Sequence, residues 1–167
     1  MRGSSVGGAF TLTNQDGKPT SWSDFGGQYR MVYFGFTSCP AICPTDVLKM
    51  SQGLEQFEEA NPDLAGKVQP IFISVDPERD DPAALKQFVA NFHPRLIGLT
   101  GEPETIKQVA TSFGGSAQAL EPDEDGFYDM QHSTFVTLFD PLGKPLGILP
   151  SDKGADAIAA ELAGWVR

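Results

Sequence analysis

Residues 31–50 read MVYFGFTSCPAICPTDVLKM, and the rest of the chain is organised around them. Met31 to Phe36 is an apolar, aromatic run, long enough for one buried strand and too short for a helix. Thr37-Ser38-Cys39-Pro40 breaks it, after which Val47, Leu48, Met50, Leu54 and Phe57 recur at helical spacing up to Asn61-Pro62. The pattern predicts strand, turn, then a helix over Thr45–Ala60, with Thr45 and Asp46 where a cap and a first-turn acid belong. The only cysteines, Cys39 and Cys43, fall in the turn and first helical turn. A helical path between them would bring both sulfurs to one face, at a helix end that favours thiolates.

Outward from this stretch, strands and helices alternate. Towards the N-terminus, Phe10 to Thr13 alternates like a strand and Asn14-Gln15-Asp16-Gly17 offers a hairpin turn, while Ser23 or Asp24 caps a short turn before Gly26-Gly27. Towards the C-terminus, Val68 to Val75 reads as a second buried strand. The charged loop from Asp76 to Pro82 ends in Asp81-Pro82, an N-cap with proline at the first helical position. It opens a helix through Leu85, Phe88, Val89 and Phe92 that stops before Pro94. Arg95 to Thr100 is a short strand, and Glu102-Pro103 starts a third helix ending at Gly114-Gly115. Residues 116–129 are acidic and break the alternation, an insertion whose flanks can pair as a hairpin. Ser133 to Phe139 and Lys144 to Leu149 form a second hairpin about Asp140–Gly143, before a final helix over about Gly154 to Val166. The fold class is α/β, a mixed sheet with helices on both faces.

The chain of 167 residues suits one domain, here residues 9–167 after a lead-in of residues 1–8, and 40% hydrophobic content suffices for a core. A formal charge of −10 argues against nucleic acid and anionic membrane surfaces as partners, since both attract Lys and Arg. No apolar run is long enough to span a bilayer. Met1-Arg2-Gly3-Ser4 reads as a vector-derived leader, so a natural signal or anchor is expected to have stood before Val6.

Two thiols at C-x3-C spacing can form a disulfide, exchange disulfides or hold a soft metal ion. A third group decides among these. Of the two histidines, His132 stands just before a β run, and two thiolates with one imidazole suit Cu(I) or sulfur-bound Cu(II). Zinc would normally want a fourth ligand. His93, in the last turn of an amphipathic helix, reads as structural, complementing the helix end. Met130 reads as packing and Asp123 to Asp125 as a solvated loop, whereas Asp76 to Asp81 either shapes the site or caps the helix.

GFTSCPAICPT (Gly35 to Thr45), DPERD (Asp76 to Asp80) and the late His132 before a strand together resemble the Sco/SenC family over nearly the whole chain from Gly8. The resemblance implies a thioredoxin-like fold and one copper, Cu(I) or Cu(II), held by Cys39, Cys43 and His132. It further implies a membrane-anchored chaperone that helps assemble the dinuclear copper centre of cytochrome c oxidase subunit II. The expected setting is the periplasmic side of the bacterial inner membrane, rather than the mitochondrial intermembrane space, with a thioredoxin-like reductase and another copper chaperone as further partners. One departure is Gln131, where the family commonly carries Asp beside the histidine; Gln hydrogen-bonds but brings no charge. The rival is an enzyme, a thiol-disulfide oxidoreductase using Cys39 and Cys43 as a redox pair on the same client. Against it stand C-x3-C in place of C-x-x-C, and His132-Ser133 where such enzymes carry a cis-proline. A peroxiredoxin-like peroxidase lacks its usual Thr-x-x-Cys environment.

Overall fold

The computed structural model describes residues 6–37, 42–115, 117–126, 128, 130–132 and 135–167. β1 (Thr11–Asn14) and β2 (Pro19–Ser21) form the N-terminal hairpin. Its turn is held by the Asn14 side chain, which accepts from the Asp16 and Lys18 N–H groups at 2.9 and 3.1 Å, and by Gly17 at φ +76°. β3 (Tyr29–Gly35), α1 (Ile42–Ala60), β4 (Val68–Ser74), α2 (Pro82–Val89) and β5 (Ile97–Thr100) follow as two β-α-β units, with β3 parallel to β4 and β4 parallel to β5. α3 (Pro103–Ser112) leads to the small hairpin of β6 (Ala117–Ala119) and β7 (Met130–His132). β8 (Val136–Phe139), β9 (Pro145–Leu149) and α4 (Ala155–Trp165) complete the order. The main sheet runs β2-β1-β5-β4-β3-β8-β9, with β8 and β9 antiparallel additions.

The strand order explains the composition of the central strands. β3 and β4 lie inside the sheet with both faces covered, so they read as near-continuous apolar runs rather than alternating ones. On one face, Tyr33 and Phe72 are register partners with rings 6.3 Å apart, and Phe72 meets Phe88 of α2 at 4.8 Å. The Tyr33 hydroxyl donates to Asp46 of α1 at 3.0 Å. α1 and α2 therefore share this face, as two right-handed crossovers stepping the same way along a sheet require. α4 packs on α1 so closely that a Cβ at Gly53 would stand 2.6 Å from Ile158. On the other face an aromatic group seals the core: Trp22 meets Phe113 and Phe139 edge-on, both at 5.2 Å, and Phe113 meets Phe34 at 5.7 Å.

Several expectations change in detail. The helix after the central strand starts at Ile42, not Thr45, so Thr45 and Asp46 lie inside it and Asp46 serves Tyr33 rather than the helix start. Pro44 is tolerated in the first turn because its missing N–H would have had no helical partner. The Asp81 cap is as expected: its carboxylate accepts from Ala84 N–H at 2.8 Å with Pro82 at the first position. α2 stops at Val89, before Phe92. The acidic insertion closes as a hairpin reaching His132, and β8 begins only at Val136; Ser133 and Thr134 lie outside the described residues. Among the described residues no helix is long and apolar enough to cross a membrane.

Candidate metal centre

Cys43 lies in the first turn of α1, which follows β3 in the chain. The first N–H groups of a helix have no internal acceptor, and the helix dipole is positive there. Cys39 lies outside the described residues. His132 is the last residue of β7, opposite Ala117 of β6. Met130 and Gln131 belong to the same strand, and Asp129 lies outside the described residues.

Three segments that flank these ligands are laced together at one end of the sheet. Thr37, just beyond β3, is pinned by Asp80, whose carboxylate accepts from Thr37 N–H at 3.0 Å, Thr37 Oγ1 at 2.6 Å and Ser74 Oγ at 2.7 Å. Asp80 is fully buried. Burial pushes its carboxyl above the ordinary Asp range, as does the charge of Asp76, while the bonds from Thr37 and Ser74 act the other way. Ser74 Oγ also accepts from the Asp76 N–H at 3.1 Å, fixing the start of the DPERD loop.

Arg79 joins that loop to the other two segments. It pairs with Asp76, and its guanidinium lies 5.3 Å from the Phe36 ring centre and 3.8 Å from that of Tyr128. The Tyr128 hydroxyl donates to the second oxygen of Asp76 at 3.2 Å, and burial followed by the Asp76 charge raises the phenol above its usual range. The hairpin strand carrying His132 is thus tethered, four residues upstream, to the loop that also braces the segment leading to Cys39. Four residues of extended chain span at most about 14 Å, so the tether keeps His132 at this end of the molecule.

Other expectations resolve as follows. His93 is structural and buried, but it does not complement a helix end. Its Nδ1 accepts from the Arg95 N–H at 3.1 Å, so the ring proton lies on Nε2, which donates to Glu58 of α1 at 2.5 Å. Arg95 Nη2 donates to the other Glu58 oxygen at 2.5 Å. Burial alone would raise the Glu58 carboxyl; the hydrogen bonds from His93 and Arg95 and the positive charge of Arg95 outweigh it and hold the group below its ordinary value. In the Asp76–Asp81 loop, Asp81 caps α2, while Asp80 holds Thr37 and Asp76 with Arg79 holds Tyr128. Asp123 to Asp125 is an exposed turn. Sequence reasoning missed Tyr128, whose one local signal was an aromatic pair, Phe127-Tyr128, near the end of an acidic insertion.

A sheet of this order, with a cysteine at the start of the helix that follows its central strand, defines a thioredoxin-like α/β protein. The SCO1/SenC family model matches residues 1–167, and the chain belongs to that family. Among solved structures it is similar to Bradyrhizobium japonicum ScoI with copper bound, at 37% identity and a TM-score of 0.86 over 96% of this chain and 99% of that one. It is also similar to BsSco, described as having a disulfide switch and as a member of the Sco family of cytochrome c oxidase assembly proteins. That match has 29% identity and a TM-score of 0.72, covering 93% of this chain and 90% of that one. The human mitochondrial SCO2 homolog is 44% identical over 144 residues, 86% of this chain and 53% of the human protein. The chain spans about half the length of the curated relatives it matches. Its relatives are thus both mitochondrial and bacterial.

Proposed function

We propose that residues 9–167 form one Sco domain, following a lead-in of residues 1–8, that carries a single copper ion as cargo on Cys39, Cys43 and His132. The receiver is the dinuclear copper site of cytochrome c oxidase subunit II. The observation that carries this reading is the lacing of Phe36-Thr37, Asp76–Asp80 and Tyr128 into one cluster, since these are the segments that lead to Cys39 and His132, beside the helix start that bears Cys43. The donor set fits the ion: two sulfurs and one imidazole are soft to borderline ligands, suited to copper and short of the four that zinc normally takes. The copper-bound ScoI neighbour supports copper as the ion.

The chemistry ties copper binding to thiol redox state. Binding requires both cysteines as thiolates, so formation of a Cys39–Cys43 disulfide, with loss of two electrons to an oxidant and two protons to solvent, abolishes it. A thioredoxin-like reductase must restore the dithiol, and another chaperone is the natural copper donor. On this reading the protein works on the periplasmic side of a bacterial inner membrane. The test is titration of the reduced protein with Cu(I) and Cu(II): one copper per chain is expected, with Cys39→Ser, Cys43→Ser and His132→Ala each lowering affinity. Parent-like binding by all three variants refutes the assignment.

A second reading is thiol-disulfide reduction of the same client without copper transfer, favoured by the place of Cys43 in the first turn of the helix after the central strand. It predicts a dithiol potential close to the client's and activity that survives His132→Ala.

A further inference from the structure

A cleft of about 380 Å³ lies where β5 ends, lined by the first residues of both α2 and α3. The two helices cover opposite faces of the sheet: α2 packs through Phe88 on Phe72, whereas Phe113, at the end of α3, packs on Phe34 and Trp22. They follow β4 and β5, which are parallel neighbours. Helices that diverge in this way open a crevice at the carboxyl ends of their strands, the usual place for a ligand in an open α/β sheet.

Thr100, the last residue of β5, points into this crevice. Alternation puts it on the face of Gly98, where a Cβ would meet Val89 and Leu85 of α2 at 3.1 and 3.4 Å. The helix of a β-α-β unit runs back against its strands, so Thr100, two residues further on, faces the start of α2. It is 6% exposed and lines the cleft, yet its Oγ1 has no hydrogen-bond partner among the described residues. Buried hydroxyls are normally bonded, so this one is short of a partner.

The walls are acidic. Asp81, the N-cap of α2, commits one oxygen to the Ala84 N–H, and Glu102, the N-cap of α3, makes no cap bond with its side chain. Among the described residues that line the cleft none is cationic, and the one lysine of each helix pairs elsewhere, Lys86 with Asp16 and Lys107 with Glu104. A helix end supplies about half a positive charge, and each cap sets a full negative charge against it. The mouth therefore attracts cations, not the anions that helix ends ordinarily take. No three carboxylates, imidazoles or thiols among the described residues are grouped to hold a metal ion, which leaves an organic cation.

We propose that this cleft receives an arginine side chain of a protein partner, with the carboxylates of Asp81 and Glu102 and the Thr100 hydroxyl as acceptors. The several donors of a planar guanidinium suit acceptors on different sides, whereas an ammonium is a point charge. Asp80 also lines the cleft and holds Thr37, so a partner docked here stands beside the proposed metal centre. Recognition needs only the cleft, so it can fail while the copper assignment holds, and the reverse.

The test is a titration of the reduced protein with N-acetyl-arginine amide, read from the amide signals of Thr100 and Gly101 in ¹H–¹⁵N spectra. A saturable shift is expected, with the neutral citrulline counterpart about tenfold weaker. Glu102→Gln, an exposed change harmless to folding, should weaken binding about threefold, and Thr100→Val about fivefold without loss of stability. Glu104→Gln removes the same charge outside the cleft and should leave affinity within about twofold. Equal binding of the citrulline compound, a shift that never saturates, an unaltered affinity in Glu102→Gln or Thr100→Val, or equal losses in Glu102→Gln and Glu104→Gln overturns the proposal. So does tighter binding of free arginine than of the capped residue, which would make the ligand a small molecule.

Discussion

Asp80 offers the sharpest test of how the fold supports the proposed copper site. Its carboxylate is the common acceptor for Thr37 N–H, Thr37 Oγ1 and Ser74 Oγ, at 3.0, 2.6 and 2.7 Å, with no exposed surface of its own. Truncation in Asp80→Ala strands three donors, and each buried donor without an acceptor costs about 1–3 kcal/mol. The two hydroxyls can turn elsewhere and the backbone N–H cannot, so the expected net loss is about 2–4 kcal/mol. Asp80→Asn keeps the shape: its carbonyl oxygen can serve Thr37 N–H and Ser74 while its amide donates to Thr37 Oγ1, for a cost under about 1 kcal/mol.

The two variants also differ from the parent in pH response. Asp80 holds its proton to higher pH in the folded chain than its ordinary value of 3.8, so the folded state binds more protons in the window between the two values. Stability from this group is therefore greatest below 3.8, falls as pH rises through the window to the raised folded value, and is flat above it. Asp80→Asn has no carboxyl and lacks that fall. Because Thr37 leads directly to the cysteine turn, Asp80→Ala should also weaken copper binding by about 10–100-fold, the usual effect of removing a group that orients metal ligands. Denaturant unfolding across pH and copper competition titrations measure both. Parent-like stability and copper affinity in Asp80→Ala would refute the bracing role, and an unchanged pH profile in Asp80→Asn would refute the electrostatic argument.

Three further outcomes follow from other contacts. Tyr128→Phe keeps the ring on Arg79 and should bind copper nearly as the parent does, whereas Tyr128→Ala loses ring and hydroxyl together, unties the His132 hairpin and should cost about tenfold in copper affinity by titration. Glu58 has a lowered carboxyl pKa in the folded chain, so its contribution is complete above its ordinary value of 4.5 and is lost as pH falls through the lowered one. Glu58→Gln should cost about 1–3 kcal/mol at neutral pH and flatten the acid limb of the unfolding profile. Gly53→Ala places a methyl 2.6 and 2.7 Å from Ile158 atoms and 3.0 Å from the Ala155 carbonyl. It should lower stability by about 1–3 kcal/mol in thermal melts, with part recovered in a double variant with Ile158→Ala.

What the sequence determined by itself was local and periodic. The apolar run before Cys39, the helical spacing from Val47 to Phe57 and the Asp81-Pro82 cap each encode an element through residues within one or two turns of each other, and all three appear in the structure. The order of Cys39, Cys43 and His132 among the motifs was legible too, because the metal preference belongs to the ligand types. Tertiary structure alone decided which groups support them. Thr37 and Asp80 are 43 residues apart, Tyr128 and Asp76 are 52 apart, and His93 finds Glu58 across 35. No local propensity specifies such pairs; burial does, by withdrawing water from a carboxylate, a guanidinium or an imidazole and leaving whichever polar groups the sheet topology has brought alongside. Arg30 shows the same rule from the other side. In the sequence it is one charge at the edge of an apolar strand, and only the packing of Trp22, over whose ring the guanidinium lies at 4.3 Å, and of Gly143, whose lack of a Cβ admits both side chains, buries it.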